Sequence, residues 1–274
     1  MTESDVQTKV TEHSEAFAGD DILTLCSISV LTAVLADFLH EGIGHAAIAL
    51  LTGAQSGILS TVAWSSSFDS RLVQAGGTLV NLAAGGLFWL LLRIRRNASP
   101  HTRYFLLIAC LFNLFDGTGY FFFSGITNFG DWAGVITGLQ PHWMWRTLLF
   151  LVGVASYYAV VLLAGVGFAR YLAVSGKNPR LLRLTLVPYL TGIVVVGVSG
   201  IFNPIGIQYV WLSALPATAG GHSGMMWFRY YIPKSIVPSG VEEPISRSYQ
   251  WILTAVPVVI LFIGVLGRGV TLTR

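Results

Sequence analysis

Six long apolar runs divide the chain, and charged residues or Gly/Pro clusters bound each of them. Each run is about as long as the roughly 20 residues that a helix needs to cross a bilayer. The pattern predicts an all-α fold, a polytopic membrane helix bundle of about six transmembrane helices. The predicted spans are residues 22–51, 73–92, 104–124, 147–169, 184–203 and 250–267.

The first run is longer than a straight span requires. Its 30 residues would extend about 45 Å as a helix, against a hydrocarbon core of about 30 Å. The helix must therefore tilt, break or continue into a cavity. Gly42 and Gly44 lie where a break would fall.

Composition agrees with a membrane location. Hydrophobic residues make up 54% of the chain and charged residues only 11%, whereas soluble domains carry about 25% charged residues. Too few polar side chains remain to cover a water-facing surface, so the partner expected from composition is the lipid bilayer. The net charge of +3 reflects membrane topology in this interpretation, and we expect no nucleic-acid partner.

The same pattern suggests how the chain is organised. Residues 1–21 are acidic and polar and predict an N-terminal tail, and residues 22–274 predict a single transmembrane domain. Within that domain, residues 22–131 contain the candidate metal site. Residues 204–249 are rich in Gly, Pro and aromatic residues and predict an extracytoplasmic loop.

The basic residues predict the orientation of a multi-pass protein, because Lys and Arg accumulate in cytoplasmic loops. Most of them fall on one side of the six predicted spans, which places both termini in the cytoplasm. The residues on that side are Lys9, Arg93, Arg95, Arg96, Arg103, Arg170, Lys177, Arg180, Arg183, Arg268 and Arg274.

Four ionisable residues are concentrated in the first span: Asp37, His40, Glu41 and His45. Such groups cost several kcal/mol in a bilayer unless they are paired or solvated. Convergence on a bound cation inside the bundle would remove that cost, and imidazole and carboxylate groups are ligands of zinc. The alternative is a buried polar network that joins helices.

The spacing of the two histidines is unusual for a helix. They are five residues apart, about 140° around an ideal α-helix, whereas the H-E-x-x-H motif has a spacing of four. A π-bulge would absorb the extra residue and return both side chains to one face. Alternatively, Glu41 and His45, which are four apart, form the helical pair and His40 reaches in from the side.

Three sequence elements resemble the site-2 protease class of intramembrane zinc metalloproteases. D37-F-L-H-E-G-I-G-H-A resembles the metal-binding helix of that class, Q74-A-G-G-T-L-V-N81 resembles its Gly-rich element, and N113-L-F-D-G117 resembles its Asn…Leu-Asp-Gly element. The resemblance covers residues 37–131 at most. It departs from the family in the extra residue between the histidines, a spacing that type-III dipeptidyl peptidases also use, and in a missing proline near Asn113.

The resemblance implies a Zn²⁺ cofactor and a role for each matching residue. His40 and His45 would be zinc ligands, Asp116 the third ligand and Glu41 the general base. Asp131 is the rival of Asp116, although its position beside Trp132 is typical of a membrane interface. His222, in a Gly-rich stretch, is expected to be an exposed loop residue.

Three polar residues would support that chemistry. Asn81 or Asn113 could donate a hydrogen bond to the oxyanion or hold the substrate backbone. Asp37, one turn before His40, could accept the second N–H of a ligand imidazole.

The function predicted from these elements is a zinc-dependent intramembrane endopeptidase that hydrolyses peptide bonds in or near the membrane. Its partner would be a membrane-embedded or membrane-proximal peptide substrate. The alternative is a non-catalytic metal-binding membrane protein or a divalent-cation transporter that uses the same cluster.

Overall fold

The computed structural model describes residues 19–174, 178–204, 206–230 and 242–274. These residues form an all-α polytopic helix bundle in which six helices are long and apolar enough to cross a membrane. The six predicted spans are confirmed, with ends that move by up to five residues. The observed spans are Ile22–Thr52, Arg71–Ile94, Pro100–Thr127, His142–Tyr171, Pro179–Ile201 and Tyr249–Arg268.

The first span is one continuous rod with a change of helix type in its middle. It begins as α1 (Ile22–Phe38), becomes a π-helix over Leu39–Ala47 and ends as α2 (Ile48–Thr52). The Asp21 side chain caps the start of α1 by accepting a hydrogen bond from the Thr24 N–H. The extra length expected from the sequence is therefore absorbed in a distorted segment around the two histidines.

The next helices, all but one of them long, follow in chain order. They are α3 (Arg71–Ile94), α4 (Pro100–Thr127), the short α5 (Asp131–Ile136), α6 (His142–Tyr171), α7 (Pro179–Ile201) and α9 (Tyr249–Gly264). Ser70 and Ser99 cap α3 and α4 by accepting backbone N–H bonds, the common means of satisfying a helix N-terminus.

A small antiparallel sheet covers one end of the bundle. Its strands are β1 (Ser56–Leu59), β2 (Trp64–Ser65) and β3 (Val270–Thr273), in the order β2-β1-β3. Leu59 pairs with both Trp64 and Val270. The C-terminal strand is thereby fixed beside the hairpin that follows the first span. The sequence pattern did not predict this sheet.

The opposite end of the bundle is held by a buried ion pair. Arg180 donates to both carboxylate oxygens of Asp20 at 2.7 and 2.8 Å, and these side chains are only 5% and 4% exposed. The Asp20 carboxylate also accepts from the backbone N–H of Ile245, and Arg103 pairs with Glu243. Residues 242–248 therefore lie across the Asp20 end of the bundle.

Between α7 and residue 242 the chain passes back into the bundle. This inserted segment, residues 206–230, contains π-helical turns over Val210–Ala214 and Pro216–Gly220, a 3₁₀ turn over Gly221–Ser223, α8 (Gly224–Trp227) and a last 3₁₀ turn. Tyr157 and Tyr189 donate hydrogen bonds from their hydroxyls to the carbonyls of Gly221 and Ala219. Near its end, Phe228 stacks on Phe168 of α6.

The inserted segment changes the predicted topology. Residues 204–249 do not form a loop on one side, because 206–230 run through the bundle and 242–248 lie at the Asp20 end. The prediction missed this passage because the segment has no long apolar run. This additional passage through the bundle puts residue 19 and residue 274 at opposite ends. The structure therefore does not support the prediction that both termini lie on one side of the membrane. Residues 1–18 of the predicted tail lie outside the described residues.

Candidate metal centre in the first span

The π-helix brings the two histidines together. Their Nε2 atoms lie 3.2 Å apart, although five residues separate them in the sequence. In a π-helix the hydrogen bonds run from residue i to i+5, so residues at this spacing share a face. The π-bulge predicted from the H-E-x-x-x-H spacing is confirmed. The alternative, in which His40 reaches in from the side of a Glu41–His45 pair, is not what the structure shows.

Glycines of two helices create the space for this pair. A Cβ atom on Gly77 would lie 2.5 Å from Nε2 of both His40 and His45. Gly44 of the π-helix and Gly76 of α3 are in close backbone contact, since a Cβ on either would overlap the other helix. Small residues allow such close approach of membrane helices. The Gly-rich element of α3 therefore forms one wall of the site.

Hydrogen bonds fix the protonation of both imidazoles. His45 Nδ1 lies 2.7 Å from the carbonyl oxygen of Val73, which can only accept, so Nδ1 carries the proton. His40 Nδ1 lies 2.5 Å from Oδ1 of Asn81. In each ring the remaining nitrogen, Nε2, faces the centre of the site. This orientation is typical of histidines that bind a metal.

Asn81 is itself held by its neighbours. Its amide N–H groups donate to the carbonyl of Ala36 at 3.2 Å and to Oδ1 of Asn113 at 2.8 Å, and both asparagines are fully buried. Both N–H groups of Asn81 are thus occupied, which does not fit the predicted role as an oxyanion donor. Asn81 instead orients His40, the role that the sequence suggested for Asp37, and Asn113 supports Asn81.

Asp131 completes a triangle with the two histidines. Its Oδ2 atom lies 3.1 Å from Nε2 of His40 and 3.4 Å from Nε2 of His45. The short helix α5 thus brings the side chain of Asp131 into the bundle. Its position beside Trp132 in the sequence did not suggest this contact with the two histidines.

Asp116, the third ligand suggested by the family resemblance, faces a different partner. Its Oδ1 atom lies 2.9 Å from Nε2 of His222, and Asp131 occupies the position beside His40 and His45. His222 is only 2% exposed, so the expectation of an exposed loop residue is wrong. The sequence could not place His222, because the inserted segment that carries it has no span-like pattern.

Asp37 also lies apart from the Nδ1 atoms that it was expected to orient. Nδ1 of His45 is hydrogen-bonded to the carbonyl of Val73, and Nδ1 of His40 to Asn81. Asp37 instead lines a small cavity together with Glu41, Asp116 and His222. Its predicted role beside a ligand imidazole is therefore taken by Asn81.

Glu41 lies beside the triangle with a free carboxylate oxygen. His40, Glu41 and His45 are buried, and each contributes one potential ligand atom. These three atoms lie within 4.8 Å of one another. Glu41 Oε2 is buried and has no hydrogen-bond partner among the described residues. Together with His45 and Asp131, Glu41 lines a cavity of about 920 Å³. We call this space the large cavity.

Tyr120 is a site residue that the sequence analysis did not single out. Its ring stacks on that of His40, with centroids 4.7 Å apart, and it lines both the large and the small cavity. No described residue is hydrogen-bonded to its hydroxyl. A signal was present in the sequence, because Tyr120 follows Asp116 by four residues and therefore shares its face of α4.

The arrangement could hold a metal ion. Three donor atoms, Nε2 of His40, Nε2 of His45 and Oδ2 of Asp131, are 3.1 to 3.4 Å apart. Tetrahedral zinc ligands at 2.0–2.1 Å are separated by about 3.3 Å. Asp131 Oδ2 makes no hydrogen bond with the described residues, and two imidazole lone pairs face it. Such a set of buried acceptors is repulsive unless a cation or shared protons lie between them.

Comparison of the chain with protein-family models, with curated proteins and with solved structures found no match.

Proposed function

We propose that this protein is a zinc-dependent intramembrane peptidase. One observation carries the proposal: Glu41, whose Oε2 has no hydrogen-bond partner among the described residues, lies beside the triangle of His40, His45 and Asp131, at the wall of the large cavity. Two histidines and one carboxylate that leave an open position are a ligand set of catalytic zinc. The order of elements that resembles site-2 proteases supports the same reaction, with Asp131 in place of Asp116 as third ligand.

Each polar group then has a defined task. His40, His45 and Asp131 would hold a zinc ion, which would supply Lewis-acid activation of water and of the substrate carbonyl. Glu41 accepts a proton from the attacking water as its oxygen bonds to the carbonyl carbon. When the carbon–nitrogen bond breaks, Glu41 passes that proton to the leaving amine.

Tyr120 takes the role of oxyanion donor that the sequence suggested for Asn81 or Asn113. Its unpaired hydroxyl is available to donate a hydrogen bond to the carbonyl oxygen as negative charge develops there. The stacking of its ring on His40 fixes it beside the reacting groups. Asn81 and Asn113 act indirectly, by holding the His40 ring.

The large cavity supports a peptide substrate and access of water. Its volume of about 920 Å³ is at the upper end of the range for ligand pockets. Aromatic side chains from α4, α6 and the inserted segment line it, which suits an apolar transmembrane peptide. Irregular backbone at membrane depth is tolerated where it is buried in protein or lines a water-filled space, so the inserted segment is consistent with a hydrated cavity.

The orientation proposed for the bundle places its Asp20 end in the cytoplasm. Arginines cluster at that end, as the positive-inside rule requires. They are Arg93, Arg95, Arg96, Arg103, Arg170, Arg180, Arg183 and Arg247, whereas Arg71, Arg146, Arg268 and Arg274 lie towards the sheet. In this orientation the sheet and residue 274 are extracytoplasmic.

The test is cleavage of membrane peptides by the purified full-length chain in lipid nanodiscs. A set of synthetic single-span peptides would be incubated with the protein, and the products identified by mass spectrometry. We expect cleavage that a zinc chelator abolishes and that added zinc restores. Glu41→Gln should lose at least about 100-fold in rate, in line with the loss of general-base catalysis.

Glu243→Gln is the matched control, because Glu243 is half-exposed and pairs with Arg103 at the Asp20 end. It should cleave like the wild type. Unchanged cleavage by Glu41→Gln would rule out the proposed mechanism. Bound zinc without cleavage of any peptide would favour the alternative of a non-catalytic metal protein, and zinc uptake into proteoliposomes would favour a transporter.

A further inference from the structure

A second polar cluster lies behind Glu41, in the smaller cavity of about 40 Å³. Asp37 of α1, Asp116 of α4 and His222 of the inserted segment line this cavity, and Glu41 and Tyr120 line both cavities. We call this space the polar pocket. Its volume exceeds the roughly 10–15 Å³ that a cavity needs to hold one water molecule, so it has room for an ion.

His222 is the most informative member of the cluster. It is 2% exposed, and its ring stacks on Phe112 with centroids 4.0 Å apart. Nε2 lies 2.9 Å from Asp116 Oδ1, yet neither ring nitrogen makes a hydrogen bond with the described residues. Leaving a buried donor or acceptor unsatisfied costs about 1–3 kcal/mol. Nε2 of His222 and Oδ1 of Asp116 are therefore close enough together to bind one cation.

The charges around the two cavities also favour a bound cation. Five carboxylates line the two cavities; Asp69 is exposed, whereas Asp37, Glu41, Asp116 and Asp131 are shielded from solvent. The described residues that line these cavities include no lysine or arginine. A single divalent ion at His40, His45 and Asp131 would compensate only half of the charge of the four shielded carboxylates. Uncompensated charge within a membrane protein is costly, so Asp37 and Asp116 must each be protonated or lie next to further positive charge.

We propose that the polar pocket binds a second divalent cation, held by His222 Nε2 and the carboxylates of Asp116 and Asp37. One imidazole with carboxylate oxygens suits zinc and similar first-row divalent ions, and water or the hydroxyls of the pocket complete the coordination. The second ion lies on the far side of Glu41 from the triangle of His40, His45 and Asp131. It balances the carboxylates and holds the inserted segment against α1 and α4.

This inference goes beyond the proposed function, because it concerns metal stoichiometry and not proteolysis. The test uses purified full-length protein in nanodiscs, stripped with chelator, loaded with Zn²⁺ alone and separated from free metal by gel filtration. Mass spectrometry of the elements then gives zinc per chain. We expect two ions in the wild type, one in His222→Gln, one in His40→Ala, and none in the double variant.

Several controls keep the result interpretable. His101→Gln changes a histidine whose contact is with the carbonyl of Ser246 near the surface, and it should retain two ions. Asp116→Asn, which keeps the shape of the side chain, should lose the same ion as His222→Gln. A His222→Gln protein that still binds one ion through His40 and His45 is folded, so loss of the second ion is not a folding defect.

Two results would overturn the inference: one zinc per wild-type chain, or two zinc ions retained by both His222→Gln and Asp116→Asn. Either would mean that protons balance the carboxylates. The proposed function fails separately, since a chain that binds two ions and cleaves no peptide would contradict the peptidase assignment alone.

Discussion

At the centre of the bundle, every hydrogen-bonding group of the Asn81 side chain has a partner. Asn81 has two N–H groups and one carbonyl oxygen, and the structure uses all three, for Ala36, Asn113 and His40. The result is a fixed His40 ring whose Nε2 points into the site. Partners of this kind outside the ligand set tune metal affinity strongly.

We therefore expect Asn81→Ala to weaken zinc binding about 10- to 100-fold, the usual effect of losing such a partner. Competition with a fluorescent chelator would measure the affinity. Asn97→Ala, in the exposed turn after α3, is the control and should bind zinc normally. Equal affinity of the two variants would show that Asn81 does not orient His40.

Tyr120→Phe separates catalysis from metal binding. Removal of the hydroxyl leaves the stacked ring on His40 in place, so zinc content should not change. Loss of one oxyanion donor costs about 10² in kcat, with little change in KM. Steady-state cleavage assays would measure both constants. Tyr249→Phe, at the exposed start of α9, should match the wild type, and an unchanged kcat for Tyr120→Phe would remove Tyr120 from the mechanism.

Among the secondary-structure elements, the site depends on how closely the π-helix approaches α3. Gly44 and Gly76 bring the two backbones into contact, and Gly77 leaves room for both imidazoles. A glycine in a helix costs about 1 kcal/mol relative to alanine. The Gly76–Gly77 pair is favourable here because no larger residue would fit.

Gly77→Ala should therefore disrupt the site. Its Cβ would lie 2.5 Å from both Nε2 atoms, and overpacking of this kind costs about 1–3 kcal/mol. We expect zinc affinity to fall at least about tenfold. Gly86→Ala on the same helix is the control, because a Cβ there meets no atom within 4 Å. If Gly77→Ala binds zinc as tightly as Gly86→Ala, the described approach of the helices is incorrect.

For the whole molecule, the inserted segment decides which ends of the chain lie together. It carries the chain from the sheet end back to the Asp20 end, where residues 242–248 join Asp20 and Arg180. Residue 274 then pairs with the hairpin at the far end, by a hydrogen bond to the carbonyl of Gln55.

Labelling of single cysteines tests this passage. Cysteines introduced at Asn97 and at Arg274, in a background without Cys26 and Cys110, should react with a membrane-impermeant maleimide from opposite faces of sealed vesicles. We expect Asn97 on the cytoplasmic face. Labelling of both positions from the same face would contradict the crossing of the inserted segment.

The buried pair of Arg180 and Asp20 should stabilise the Asp20 end. Breaking a buried ion pair by removing one partner costs about 3–5 kcal/mol, so Arg180→Gln should lower the melting temperature of the protein in detergent markedly. Arg247 pairs with Asp21, and the Arg247 side chain is 56% exposed. The melting temperature of Arg247→Gln should therefore change little. Similar small effects in both variants would mean that Arg180 does not hold the bundle.

The sequence by itself determined the helical membrane bundle and its six spans, and it narrowed the histidine pair to two arrangements, of which a π-distorted helix was one. These features depend on local hydropathy and on residue spacing along one helix. Only the tertiary structure decided that Asp131 and not Asp116 meets the histidines, that His222 is buried, and that residues 206–230 pass through the bundle. Asp116 and Asp131 lie only 15 residues apart, and each has an apolar neighbourhood, so nothing local distinguishes them. Which of them reaches His40 and His45 depends on how α5 and the inserted segment pack against the long helices, and that packing joins residues distant in the sequence.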